Sequence, residues 1–350
     1  MPAQTKPATT ATTLPGNLVW HDVRDSGVEG RAFNDTESYF DRLPARAKGV
    51  VRPEVWNLSR HTAGMSVRFT SNTPEIYVRY EVTNAKLEMA HMPASGVSGL
   101  DLYAKVNNAW RYVATHKPLQ PVIAAALAHQ IDPQEREYLI HLPLYNGVKK
   151  LEIGTPPHAK FQGVPPRSVK PILFYGTSVT QGGCASRPGM AFTNILARRL
   201  DRTVLNFGFS GNGRMEMEVA RFLAELDPAL YVLDCLANML NMPITQRHID
   251  VVKLLREKHP QTPILLLEER PSPDAVIIPE RVENQRHRCE ELRAAYDQLV
   301  AQRVTNIHYR KGDDLIGDDG EATVDSSHPS DLGMMRYADA LEPTLQKLLI

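Results

Sequence analysis

Two hydrophobic periodicities divide this chain. Between Met65 and Ile153 apolar residues recur at every second position. After Lys170 they come as short continuous runs followed by stripes spaced three and four apart. In the first part Met65, Val67 and Phe69 alternate with Ser66, Arg68 and Thr70. Asn72-Thr73-Pro74 makes a turn, and Ile76, Val78, Tyr80 and Val82 alternate with Tyr77, Arg79 and Glu81. Period two on both sides of a turn predicts a hairpin with one buried face. Leu102-Tyr103 and Trp110 to Val113 flank Asn107-Asn108 and predict a second hairpin. Tyr138, Ile140 and Leu142 lead through Asn146-Gly147 to Leu151 and Ile153 and predict a third, because Asn-Gly between alternating runs is a strong hairpin signal. Antiparallel strands joined in this way predict an all-β, jelly-roll-like sandwich.

Pro156, Pro157, Pro165 and Pro166 then mark a stiff linker. Beyond it, strands predicted over 171–175, 203–207, 230–233, 264–267 and 304–309 alternate with helical stripes. The stripes include Phe192/Ile195/Leu196/Leu200, Met215/Val219/Phe222/Leu223/Leu226, Ile249/Val252/Leu255, Leu292/Tyr296/Leu299 and Met335/Ala338/Leu341/Leu345/Leu348. This order predicts an α/β fold of three layers around a five-stranded parallel sheet. Met1 to Gly16, rich in Thr, Ala and Pro, reads as a flexible leader. The expected division is therefore a leader at 1–16, a β-sandwich at 17–160 and an α/β domain at 161–350.

The 350 residues exceed the ~250–300 of a single core, which agrees with two domains. Lys+Arg and Asp+Glu both number 40, so the field that nucleic-acid binding needs is absent. No apolar run approaches the ~18–20 residues of a membrane helix, and no membrane partner is expected. Three cysteines, Cys184, Cys235 and Cys289, exclude a disulfide framework. The leader has no apolar core of a signal peptide. The expected location is thus cytoplasmic, or periplasmic or secreted where a signal has been removed. No pattern speaks to oligomeric state.

In open parallel sheets ligands bind beyond the carboxyl ends of the strands, so reactive residues are sought there. After the first strand comes Gly176-Thr177-Ser178-Val179-Thr180-Gln181-Gly182; Ser178 is either an exposed nucleophile or a helix N-cap. After the second comes Asn206-Phe207-Gly208-Phe209-Ser210-Gly211-Asn212-Gly213, either a loop offering backbone N–H groups or a plain turn; its spacing does not fit a dinucleotide loop. After the third, Asn238 either donates its amide or caps its loop. Before the last helix, Asp325-Ser326-Ser327-His328 can supply a base and the carboxylate that holds its tautomer, although a lone histidine is more often a surface residue. Any one of these is ordinary. Together they supply a nucleophile, oxyanion donors and an acid–base pair from four strand ends. Arg187, Glu269 and Arg270 are candidate contacts to a polar substrate, with salt-bridged structural roles as the alternative. Cys184 reads as a packing residue. The histidines and cysteines lack ligand spacing, so no metal or other cofactor is expected.

In order and spacing these blocks resemble the SGNH (GDSL-like) hydrolases, from about Lys170 to the C-terminus. The resemblance implies a flavodoxin-like catalytic domain, a Ser178–His328–Asp325 triad, and an oxyanion hole from Ser178, Gly211 and Asn238. Two departures stand out: Gly-Thr-Ser-Val replaces Gly-Asp-Ser-Leu, and Ala237 precedes Asn238 where many members carry glycine. Gly99-Leu100-Asp101-Leu102-Tyr103 resembles the G-x-D-L-Y signature of an N-terminal β domain that precedes some bacterial members, and Gly176 to Gly189, including Gly182 to Pro188, is also similar to that branch. Its own role is expected to be packing between the domains. The branch implies an esterase, often for carbohydrate deacetylation. Aromatic residues are only 7%, and no long apolar lid is visible, which favours a short acyl group on a sugar. The expected function is a carbohydrate O-acetylesterase acting on a small-molecule or oligosaccharide ester. The alternatives are a general short-chain carboxylesterase or thioesterase, and a glycan-binding protein with an inactive hydrolase half.

Overall fold

The computed structural model describes residues 14–349; residues 1–13 of the expected leader lie outside them. The N-terminal part contains strands β1 (Val19–Asp22), β2 (Ser66–Ser71), β3 (Ile76–Val82), β4 (Leu100–Val106), β5 (Ala109–His116), β6 (Val122–Ala128), β7 (Arg136–His141), β8 (Val148–Thr155) and β9 (Phe161–Val164), with two short helices, α1 (Pro53–Ser59) and α2 (Ala94–Val97). The strands form two antiparallel sheets, ordered β1-β8-β3-β6 and β5-β4-β7-β2-β9. Their facing sides enclose Val67, Phe69, Val78, Tyr80, Tyr138, Ile140 and Ile153, the apolar half of each alternation.

Of the three expected hairpins, the β4–β5 pair forms. Asn107 and Asn108 turn it with φ of 50° and 60°, as a two-residue hairpin loop requires. The other two are corrected. β2 and β3 lie in opposite sheets, and so do β7 and β8, so 72–75 and 142–147 are arches between layers. A hairpin and an arch both bury alternate residues, so periodicity cannot tell them apart. The arches are held by buried side chains. Asn146 Nδ2 donates to Asn84 O at 2.9 Å and Ser98 Oγ at 3.0 Å, and its Oδ1 accepts from Asn84 N–H at 2.9 Å. β9 lies inside the stretch read as a linker and pairs with β2; we propose the domain division after Val164.

The C-terminal part alternates β10 (Ile172–Gly176), α3 (Ser178–Gln181), α4 (Phe192–Arg199), β11 (Val204–Gly208), α5 (Met217–Leu223), β12 (Leu230–Asp234), α6 (Ile244–Lys258), β13 (Ile264–Leu267), α7 (Pro279–Ala301), β14 (Ile307–Arg310) and α8 (Asp331–Leu348). The five strands are parallel, in the order β11-β10-β12-β13-β14. That is the flavodoxin-like order, whose switch point lies between β10 and β12. The strands are apolar on both faces because helices cover both. Residues of α4 and α8 pack on one face, and those of α5, α6 and α7 on the other. No helix of the described residues is long and apolar enough to cross a membrane.

The two parts share a core. Phe33, Leu43, Val51, Val55 and Trp56 pack with Leu205, Phe207 and Phe209 of the α/β sheet. The G-x-D-L-Y signature adds a polar joint. Asp101 Oδ2 accepts from Gly189 N–H at 2.8 Å and Arg187 Nη1 at 2.7 Å, and Arg187 also donates to Tyr103 OH at 2.6 Å.

Candidate active site

The residues singled out at the strand ends meet at the switch point. Gly176 is in register with Gly208 on one side and Asp234 on the other, so the first three loops leave the sheet at one level. Thr177 caps α3: its Oγ1 accepts from Val179 N–H at 3.3 Å. Capping thus falls to Thr177, and the Ser178 hydroxyl is left for another partner. That partner is His328, whose Nε2 lies 2.9 Å from Ser178 Oγ. On its other side His328 Nδ1 lies 2.8 Å from Asp325 Oδ2, while Asp325 Oδ1 accepts from the backbone N–H of His328 at 2.7 Å and Ser327 at 3.1 Å. With the proton on Nδ1, the ring donates to Asp325 and accepts from the serine hydroxyl, which is the arrangement for proton removal from a nucleophile. Burial works to raise the Asp325 carboxyl, but the backbone N–H and ring of His328 outweigh it and hold it below the usual carboxylate range.

The nucleophile turn is fixed from several directions. Ser178 O accepts from Gly183 N–H at 2.7 Å, Gly182 N–H at 3.0 Å and Tyr145 OH at 3.2 Å, the last a residue of the β domain. Thr180 donates to Asp234 Oδ2 at 2.7 Å. Burial pushes the Asp234 carboxyl up to about 7 against hydrogen bonds from Thr180 and Tyr337 and the nearby Arg270 guanidinium. Gln181 Oε1 accepts from Ser210 N–H at 3.0 Å, and its Nε2 donates to Leu144 O and faces His61 Nδ1, both at 3.1 Å.

Across from Ser178 the second loop presents Gly211, at φ 68° with open space where a side chain would be. The neighbouring N–H groups of Ser210, Asn212 and Gly213 already have acceptors. Among the described residues, neither Ser178 N–H nor Gly211 N–H has one. The Asn238 amide matches donor to acceptor when its Oδ1 accepts from Asn212 N–H at 3.1 Å and Gly213 N–H at 3.3 Å, which turns its NH₂ group away from that loop. Ser178 and Gly211 thus each keep a backbone N–H without an acceptor, and the Asn238 NH₂ group is not used by the second loop.

The three candidate substrate contacts are a different matter. Arg187 is engaged by Asp101 and Tyr103, and its guanidinium lies over the Tyr112 ring at 4.1 Å. Glu269 is buried against Arg288. Arg270 is buried beside Asp234 and Tyr337 with its Nε unpartnered. The first two have their charges paired within the protein, which agrees with the structural alternative given for them. Although histidines and cysteines lack ligand spacing in the sequence, the fold brings ligand atoms of His91, Cys184 and His328 within 4.8 Å of one another. His91, from the β domain, was not singled out in the sequence. The lid expectation is refined: Val276 and Ile277, 87% and 80% exposed, form a short apolar corner, and nearby Ser272 donates to Ser326 O at 2.8 Å.

The model of the GDSL-like lipase/acylhydrolase family matches residues 169–346. The chain belongs to that family. A second model, for the N-terminal G-x-D-L-Y domain of SGNH-type esterases, matches residues 18–161. Among solved structures the chain is similar to a GDSL-like lipase from Bacteroides ovatus, at 33% identity over 95% of this chain and 98% of that one, with a TM-score of 0.91. It also shares its fold with the salicylyl-acyltransferase SsfX3 of a tetracycline biosynthetic pathway (18% identity, 96% and 98% covered, TM-score 0.75). A third likeness is to a family two carbohydrate esterase from Cellvibrio japonicus (15% identity, 95% and 98% covered, TM-score 0.60). No curated protein matches. The family and the two-domain plan make this GDSL-like protein an SGNH-type hydrolase, an enzyme acting on esters.

Proposed function

We propose that this enzyme is a carbohydrate O-acetylesterase that works through a Ser178 acyl-enzyme. The observation that carries the reading is the relay from Ser178 Oγ through His328 to Asp325, at 2.9 and 2.8 Å. Ser178 Oγ attacks the ester carbonyl while its proton passes to His328 Nε2. The imidazolium formed is stabilised by Asp325, whose carboxyl remains ionised. The N–H groups of Ser178 and Gly211 and the Asn238 amide receive the negative charge that grows on the carbonyl oxygen. His328 then returns the proton to the departing sugar oxygen. Water, activated by the same histidine, clears the acetyl group and restores the serine.

The small acyl group is supported by the immediate surroundings of the nucleophile. The nucleophile turn itself is built from small residues, Thr177, Gly182 and Gly183, with Leu144 and Tyr145 packed behind it. A β domain that reaches the nucleophile through Tyr145 and His91 suits an alcohol with many hydroxyls. The carbohydrate esterase likeness agrees at the level of fold. The test is acetate release from a panel of acetylated mono- and oligosaccharides, run beside Ser178→Ala. Release by the wild type and none by the variant is expected. Absence of release together with fluorophosphonate labelling of Ser178 would keep the nucleophile and discard the sugar acetate.

A further inference from the structure

The catalytic histidine has two neighbours that the proposed reaction does not use. His91, half-buried on the β-domain loop closed by the Met89–Met92 bridge, places its ring centroid 5.6 Å from that of His328. Neither of its ring nitrogens has a hydrogen-bond partner among the described residues. Cys184 is 5% exposed and sits at φ 68°, a left-handed conformation that a non-glycine residue keeps only when its surroundings impose it. One ligand atom from each of His91, Cys184 and His328 lies within 4.8 Å of the other two.

We propose that these three residues form an inhibitory site for a zinc-class divalent cation beside the Ser178–His328 pair. Two imidazoles and one sulfur match the donors that zinc prefers, and three protein ligands leave a fourth position for water. In a tetrahedral site with Zn–N of about 2.0–2.1 Å and Zn–S of about 2.3 Å, ligand atoms stand roughly 3.5 Å apart. With all separations within 4.8 Å, the cluster needs to contract by at most roughly an ångström. His91 lies on a loop of the β domain, so a change in its rotamer supplies most of that movement.

The binding step balances simply. The Cys184 thiol releases its proton to solvent and its sulfur donates a lone pair to the metal. His91 and His328 each donate a ring-nitrogen lone pair. Because His328 Nδ1 is held by Asp325, the nitrogen that turns to the metal is Nε2. The hydrogen bond to Ser178 is broken and the serine keeps its proton. Burial and the Asp325 charge push the Cys184 thiol up to about 12, so without a metal the sulfur remains a protonated packing group; a bound cation deprotonates a coordinating thiol. The metal and the Ser178 proton compete for one lone pair of the general base, which makes the effect inhibitory rather than structural.

The experiment titrates Zn²⁺ against esterase activity of the full chain, after treatment with a chelator, for wild type, His91→Asn and Cys184→Ala. Inhibition that a chelator reverses is expected in the wild type. Each variant, measured against its own metal-free rate, should need at least about tenfold more Zn²⁺ for half-inhibition, since loss of even an outer-shell partner costs 10–100-fold in metal affinity. Binding is read independently with Co²⁺. A thiolate-to-cobalt absorption band should appear in the wild type and in Ser178→Ala, where His328 Nε2 has lost its competitor, and be absent from Cys184→Ala. Equal inhibition in all three proteins, or no cobalt–thiolate band, would overturn the site. Because the cobalt signal needs no turnover, failure of the proposed sugar acetylesterase activity would leave this test intact.

Discussion

Arg42 joins the two domains through four carbonyls, and its replacement should be among the more damaging single changes outside the reaction centre. The side chain is 1% exposed and has no carboxylate partner. Its guanidinium donates to Leu58 O at 2.6 Å and His61 O at 2.9 Å in the N-terminal half, and to Asn206 O at 2.9 Å and Gly208 O at 2.8 Å at the end of β11. In Arg42→Met, Leu58 O keeps the His61 N–H, at 3.1 Å. The other three carbonyls each lose a charged donor. An unsatisfied buried group costs ~1–3 kcal/mol, and the variant recovers part of that because a buried cation no longer has to be desolvated. A net loss of roughly 3–4 kcal/mol follows from those ranges. With ~2–4 °C of melting temperature per kcal/mol for a domain of this size, the shift is roughly 6–16 °C. Differential scanning calorimetry on wild type, Arg42→Met and Arg42→Lys is the assay. Lysine has three donors in place of five and no fork, so it should fall between the other two. An Arg42→Met melt within about 2 °C of the wild type would refute the claim that these carbonyls depend on the guanidinium.

Three further outcomes are expected. Asn238→Ala should lower kcat by ~10²–10³ with KM little changed, because its amide acts on charge that exists only in the transition state; a KM-only effect would place Asn238 in ground-state binding instead. His61 is held to about 3 by burial and by Arg42, from an ordinary 6.5, so the unfolded chain binds its proton first. Stability from this group is complete above pH 6.5 and falls by ~1.4 kcal/mol per pH unit below it, down to about pH 3. Urea melts at pH 7 and pH 5 should show His61→Asn losing less than the wild type over that interval, and equal losses would contradict the assignment. Gly213→Ala would place a methyl 1.9 Å from Gly176 O, backbone against backbone beside the nucleophile turn, and should yield insoluble or inactive protein; a soluble variant of normal activity would show that the second loop can retreat.

What could be read from the chain depended on whether its signal was local. The five parallel strands were legible because each is a short apolar run set apart by helical stripes. Ser178, Asn238, Asp325 and His328 were legible as reactive types at successive strand ends, and their order fitted one family. Two hairpins were misread because alternation records only that one face is buried, and an arch from β2 to β3 buries the same residues as a hairpin. β9 was missed because prolines flank it and it has four residues, which is enough for an edge strand and too few for a period. Arg187, Glu269 and Arg270 were charges near strand ends. Nothing in the sequence distinguishes a charge aimed at substrate from one paired with Asp101 or Arg288, because both partners are distant in the chain.

The residues that escaped sequence reading have one thing in common: they act across the domain junction. Arg42, His61, Tyr145 and His91 all precede Pro156, in the stretch whose pattern spoke only of a sandwich. Yet Arg42 holds the end of β11, His61 faces Gln181, Tyr145 binds Ser178 O, and His91 sits beside the catalytic histidine. Gln181 carries the connection onward, since its Oε1 accepts the N–H of Ser210, next to Gly211. The open N–H at Gly211 is therefore positioned partly by side chains of the other domain. The β domain thus helps to hold both the nucleophile turn and the loop that carries Gly211. A hydrolase half expressed without it would keep all the triad residues and lose the contacts that hold Gln181 and the Ser178 carbonyl in place.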